Sequence, residues 1–293
     1  MAEELLSTEF INQLERLQIQ SKKILRGKMK GERRSPKKGQ SVEFADFRNY
    51  VPGDDLRFLD WNVYARVEKL FVKLFMEEED LNISILVDTS GSMMVGNPSK
   101  LLYAQRIAAA LAYIGLRAQD RISVFQVNSR ISNALTNMRG RSSAHRIFEF
   151  LKTAKPEGNT GLAAAMHEFV LKYRRKGVVF LISDFMDKKG FDDVLKVLYQ
   201  LESDIAVIQI FSEEEYSPDL SEDFSLIDIE DGTKVEISKS EYVQKMYKKT
   251  LELFIDGIQQ SCNRKGFTYA YAVNSQPFED IVLTTLRKYG LIS

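Results

Sequence analysis

Residues 83–92 read Ile83-Ser84-Ile85-Leu86-Val87-Asp88-Thr89-Ser90-Gly91-Ser92, a short apolar run that breaks into an acid, hydroxyls and a glycine. A run this short and this apolar reads as a strand buried on both faces. Working downstream, Lys100 to Leu116 is an Ala-rich helix, Ile122 to Val127 a second strand and Ile131 to Leu135 a short edge strand. Helices follow near 143–153 and 161–175, then strand 178–183, helix 190–201 and strand 205–211. Alternating β and α elements imply a mainly parallel, doubly wound sheet with helices on both faces. Phe224 to Ile229 and Thr233 to Ile237, joined by Asp231-Gly232, read as a tight hairpin. A long helix near 239–262, strand 267–273 and helix 277–289 complete the pattern.

Working upstream, Leu6, Phe10, Leu14, Leu17 and Ile24 form one apolar stripe on a helix, with Ser7 as its cap and Leu6 and Ile11 as a hydrophobic staple. Lys22 to Lys38 holds nine Lys or Arg against one Glu, broken by Gly27, Gly31 and Pro36, and reads as a basic linker. Gly39 to Glu79 mixes aromatics, Arg and Asp, with a strand suggested by Leu70, Val72 and Leu74. The expected domains are therefore 1–38, a helix and basic linker; 39–80, an irregular and β segment; and 81–293, the α/β domain with its hairpin insertion near 224–237.

Composition narrows the function. The chain has 293 residues, and its 41 basic and 41 acidic residues cancel, so no global field draws it to nucleic acid or to an anionic membrane. The basic stretch lacks the interleaved aromatics of a nucleic-acid surface. The longest apolar-or-Gly run, Ile107 to Leu116, is about half a membrane span, and the acidic start has no signal-peptide core. A cytosolic location without stable membrane insertion is expected. Cys262 is the single cysteine and His145 and His167 the two histidines, so Cys/His metal sites and a Ser-His triad are disfavoured. Cys262 is expected to pack in the core and both histidines to lie on helix surfaces.

Any metal must then be held by oxygen. Asp88, Ser90 and Ser92 follow the first buried strand, and Asp184 follows Leu181-Ile182-Ser183 at the end of a later one. Thr160 lies in the turn Gly158-Asn159-Thr160-Gly161 that opens the helix leading into that later strand. All five therefore start from the C-terminal edge of the sheet, where open parallel sheets bind ligands. Three hydroxyls and two carboxylates suit a hard cation such as Mg²⁺, with Mn²⁺ or Ca²⁺ as alternatives. An ion with few charged ligands seeks a further carboxylate, which a neighbouring protein's Asp or Glu supplies. The competing structural reading is a capped βα turn, common after buried strands.

The set Asp88-x-Ser90-x-Ser92, Thr160 and Asp184 resembles the metal-ion-dependent adhesion site of von Willebrand factor A domains. The resemblance implies that the two Ser and the Thr or second Asp contact the ion directly or through water, and that a partner completes its coordination. The Gly-Gly-Thr frequent in that family is Gly158-Asn159-Thr160 here. Upstream, Glu43-Phe44, Phe47-Arg48, Tyr50, Gly53-Asp54-Asp55, Arg57, Asp60-Trp61 and Ala65-Arg66, continuing to Val72-Lys73 and Glu78, resemble the bacterial domain of unknown function 58 family, which joins such a segment to a von Willebrand factor A domain. That resemblance implies association with MoxR-type AAA+ ATPases in chaperone-like maturation of protein complexes. The upstream motif is expected to be structural: Arg48, Arg57 and Arg66 pair with Asp54, Asp55 and Asp60 around a buried Trp61 that anchors the segment.

An enzyme reading stands beside this one. Phosphohydrolases of the haloacid dehalogenase kind also place an Asp after the first strand, but require a second Asp two residues on as acid and base. That position is Ser90 here, so a non-catalytic protein is expected. The acidic run Glu213-Glu214-Glu215, with Asp219, Glu222 and Asp223, is expected to be an exposed loop.

Overall fold

The computed structural model describes residues 5–21, 43–76, 80–158, 161–187, 190–218, 224–227, 234–237 and 241–293. The chain divides into two compact units, Lys30–Asp80 and Met1–Met29 with Leu81–Ser293.

In the smaller unit, β1 (Glu43–Asn49) and β2 (Phe71–Met76) pair antiparallel, with an irregularity between Phe44 and Asp46. Between them, Asp55 caps a 3₁₀ turn at Leu56–Phe58 and Asp60 caps the helix Trp61–Val67. The Asp60 carboxylate accepts from the backbone N–H groups of Asn62 (2.9 Å) and Val63 (3.1 Å) and pairs with Lys73 Nζ at 3.0 Å. The expected pairs Arg48–Asp54 and Arg57–Asp55 are present at 2.9 and 2.6 Å. Asp60, however, is taken by Lys73 rather than by an arginine. Trp61 is not the buried anchor its size suggested: it is 59% exposed and touches Tyr64 edge-on. It occupies the first position of the helix, where the buried capping carboxylate beside it, not the indole, orders the turn.

The larger unit contains β3 (Asn82–Asp88), β4 (Arg121–Val127), β5 (Ile131–Met138), β6 (Gly177–Ser183), β7 (Asp204–Phe211), the antiparallel hairpin of β8 (Phe224–Ile227) and β9 (Lys234–Ile237), and β10 (Thr268–Val273). The central sheet runs β10-β7-β6-β3-β4-β5, and every neighbouring pair is parallel except β4–β5 at one edge. The fold is the expected one: α/β, Rossmann-like and von Willebrand factor A-like, doubly wound, with the first strand of the sheet at its centre.

Period-two alternation along the strands divides the core between the two faces. Ile83, Ile85, Val87, Val178, Phe180, Ile182, Ile208 and Ile210 pack with helices Lys100–Arg117 and Ala144–Lys152. Leu86, Phe125, Val179, Leu181 and Val207 pack on the other face with helices Leu162–Lys172, Asp192–Leu198 and Glu241–Arg264. Strands buried on both sides explain the unbroken apolar runs. Cys262 is buried as expected, and His145 and His167 are exposed on helices.

Three elements differ from the sequence reading. The N-terminal helix spans only Thr8–Leu14, capped by Ser7 Oγ accepting from Phe10 N–H at 3.1 Å. Leu17, Ile19 and Ser21 are buried at alternate positions instead, because Gln18 and Gln20 pair with Ser293 and Leu291 through backbone hydrogen bonds of 2.9 to 3.2 Å. The period there switches from helical to strand-like, and Ile24 lies outside the described residues. Glu213–Tyr216 is a short helix, not a loop, closed by a reciprocal capping box between Ser212 and Glu215. The terminal helix is interrupted by a π turn at Ile281–Thr285. Among the described residues, no helix is long and apolar enough to cross a membrane.

Candidate functional site

β3 and β6 are parallel neighbours with Val87 opposite Ile182, so Asp88 and Ser183 emerge side by side at the C-terminal edge. This is the point where the chain departs in both directions from the central strand, the crevice position of a doubly wound sheet. Asp88 is fully buried. Its Oδ1 accepts from Ser90 N–H at 2.8 Å and its Oδ2 accepts from Ser183 Oγ at 2.6 Å, so the carboxylate is locked in one orientation. Burial, helped by the charge of Asp184, pushes the Asp88 carboxyl up to about 7, against the hydrogen bonds from Ser183 and Ser90. No Lys, Arg or His among the described residues pairs with it.

Beyond Asp88 the chain bends through a 3₁₀ turn at Gly91–Met94, with Ser90 at its N-cap position and the Ser90 hydroxyl making no capping bond. The turn brings Ser90 Oγ and Ser92 Oγ to 3.1 Å from each other. Adjacent oxygens around an octahedral Mg²⁺ with bonds of about 2.1 Å lie about 3 Å apart. Two hydroxyls at that spacing beside a buried carboxylate lacking a cationic partner fit a hard divalent ion. The loop that precedes Thr160 is fastened to the same turn: Gly91 N–H donates to Gly158 O (3.0 Å) and Glu157 N–H donates to Thr89 O (2.9 Å). Thr160 itself lies outside the described residues.

Asp184 is also fully buried, and its geometry goes beyond the sequence reading. Its Oδ1 accepts from Met186 N–H at 3.1 Å, and its backbone oxygen accepts from Gln209 Nε2 at 3.0 Å. Gln209 is fixed in turn by Tyr269, whose hydroxyl donates to Gln209 Oε1 at 2.6 Å. Phe185 follows at φ 59°, an uncommon left-handed conformation for a non-glycine residue, which turns the chain sharply beyond the carboxylate. The other Asp184 oxygen, Oδ2, accepts from Lys100 Nζ at 2.7 Å, and the same ammonium donates to Glu215 Oε1 at 2.5 Å. Lys100 is 0% exposed. Burial alone would lower its pKa, but the charges of Asp184 and Glu215 outweigh burial and hold it above the ordinary lysine range.

The structure thus brings Asp88, Ser90, Ser92 and Asp184 to one edge and adds Lys100, Glu215, Ser183 and Gln209. Two sequence signals pointed to the additions. Ser99-Lys100 puts a cation at the first position of a helix, where the dipole favours an anion, and Ser212-x-x-Glu215 is a capping-box pattern. Nothing in the sequence paired these two positions, which lie 115 residues apart.

The sheet order and the oxygen-lined edge define a von Willebrand factor A-like α/β protein. The chain belongs to the family described as protein of unknown function DUF58, which it matches over residues 46–252. It is 27% identical over 230 residues to the uncharacterized protein Mb1516 of Mycobacterium bovis and, equally, to the uncharacterized protein Rv1480 of Mycobacterium tuberculosis, an alignment covering 77% of this chain and 72% of each relative. Among solved structures it is similar to the conserved hypothetical protein BatB from Bacteroides thetaiotaomicron, with 15% identity, TM-score 0.46, and coverage of 72% of this chain and 98% of that one. It is also similar to the manganese-loaded TRAP protein of Plasmodium vivax, with 20% identity, TM-score 0.30, and coverage of 45% and 57%.

Proposed function

We propose that the protein is a protein-interaction module whose binding edge is completed by a divalent metal. The observation that carries this reading is the 3.1 Å pair of Ser90 and Ser92 hydroxyls beside the buried Asp88. Ser90, Ser92 and Thr160 would hold the ion, with Asp88 contributing charge directly or through water and Asp184 standing beside it with its charge shared with Lys100. A bound Mg²⁺, or Mn²⁺ or Ca²⁺ in its place, supplies a Lewis-acidic position open to an outside carboxylate. Asp88, held by Ser183 Oγ and Ser90 N–H, fixes the start of the turn, so that the two serine oxygens already stand side by side. The partner contributes an Asp or Glu, and the sequence resemblance favours a MoxR-type AAA+ ATPase or its client, met in the cytosol.

The alternative, a metal-dependent phosphohydrolase of the haloacid dehalogenase kind, is less well supported. Ser90 stands where the acid-base carboxylate is needed, and Asp88 is fully buried with both oxygens hydrogen-bonded, a poor posture for a nucleophile. We therefore read the site as non-catalytic.

The test is a pull-down of a MoxR-type ATPase from native lysate with wild type and Thr160→Ala, with Mg²⁺ or with chelator. Capture that needs both Mg²⁺ and Thr160 supports the reading. Capture indifferent to both overturns the metal-dependent part, and phosphatase turnover that survives purification and disappears in Asp88→Asn promotes the enzyme.

A further inference from the structure

Lys100 is costly where it stands. A fully buried ammonium loses its hydration, and at the first turn of an 18-residue helix it also faces the positive end of the helix dipole. Its two partners come from separate elements, Asp184 after β6 and Glu215 in the short helix Glu213–Tyr216. Glu215 is itself fixed: Oε2 accepts from Ser212 N–H at 2.9 Å, and its backbone oxygen accepts from the Tyr247 hydroxyl of helix Glu241–Arg264. Lys100 is therefore held between two carboxylates, one of them fixed in turn by Ser212 and Tyr247, and cannot swing away from Asp184 without breaking these bonds.

We propose that Lys100 is a positioning residue that withholds Asp184 from the metal, keeping the ion weakly bound and poor in negative charge until an outside carboxylate arrives. This deepens the metal-site reading and rests on it. Asp184 Oδ2 accepts from the ammonium at 2.7 Å and Oδ1 from Met186 N–H at 3.1 Å, whereas Asp88 has no cationic partner among the described residues. The ammonium also repels a second cation. Two unit charges a few ångströms apart in a protein of effective dielectric about 20 interact strongly enough to change affinity by tenfold or more. Glu215 works in the opposite sense, because its charge offsets that of Lys100.

The proposal makes a sign-reversed prediction that loss of structure cannot imitate. Mn²⁺ affinity is measured by paramagnetic resonance at pH 8 in the full chain, with Mn²⁺ alone as the probe, for wild type, Lys100→Met and Glu215→Gln. Circular dichroism checks that each variant is folded. Lys100→Met is expected to bind Mn²⁺ at least about tenfold more tightly than wild type, and Glu215→Gln more weakly than wild type. A Lys100→Met affinity equal to or below that of wild type, or both variants shifting in the same direction, overturns the proposal. Absence of Mn²⁺ binding in all three proteins instead overturns the metal-site reading beneath it.

Discussion

Ser183→Ala tests how the candidate site is built, because Ser183 links the two central strands through one hydroxyl. Its Oγ donates to Asp88 Oδ2 at 2.6 Å and accepts from Phe185 N–H at 2.9 Å, and all three residues are buried. Alanine removes a hydrogen bond to a charged group, worth roughly 1.5–3 kcal/mol, and a neutral one worth about 1 kcal/mol, and no solvent can replace either. The expected loss is about 3 kcal/mol at pH 8 in chelator, read as a lower urea midpoint at unchanged slope. In a heating scan this corresponds to a Tm drop on the order of 6–10 °C. The loss should shrink towards pH 5, where Asp88 is protonated and no longer depends on a donor to stabilise its charge. A destabilisation below about 0.5 kcal/mol, or one indifferent to pH, would refute the claim that Ser183 holds an ionised Asp88 in place.

The pH dependence of the wild type carries its own sign. The folded-state pKa of Asp88 is raised to about 7 from 3.8, so its contribution to metal-free stability is fully present below about 4 and lost as pH rises through 7. Chelator-treated wild type is expected to gain stability from pH 8 to pH 5 relative to Asp88→Asn, and parallel pH curves for the two proteins would contradict this. In the smaller unit, Trp61→Ala should melt within a degree or two of wild type while Asp60→Ala melts clearly lower, since the carboxylate and not the indole is buried; the reverse order would restore the tryptophan as anchor. Burial pushes the Cys262 thiol up to about 12, and the residue is inaccessible, so native protein should resist alkylation at pH 8 and react only in denaturant. Rapid labelling of the native state would show that the helix carrying it opens readily.

The α/β architecture was legible because strands buried on both faces carry short, mostly apolar runs, such as Ile83 to Val87 and Val178 to Ile182, that alternate with helical patterns. Ser90, Ser92 and Asp184 were legible because each follows such a strand within a few residues. What the sequence left hidden are contacts between distant positions. Leu17 fits a helical stripe as well as a strand, and only its neighbours' pairing with Leu291 and Ser293 decides between them. Glu215 looks like one of three solvated acids until Lys100 takes it up. Trp61 misled because a large aromatic among charges suggests an anchor, whereas a capping carboxylate one residue earlier does that work. The short helix Trp61–Val67 was hidden for the same reason: its cap, not its apolar spacing, makes it a helix.

The central claim, that this edge holds a divalent ion, is tested most directly by titrating Mn²⁺ into purified wild type and into the Asp88→Ala, Ser90→Ala double variant, with calorimetry as the readout. Wild type is expected to bind one ion per chain with modest affinity, and the double variant to show no site. Equal binding by both proteins would place the metal elsewhere and contradict the account.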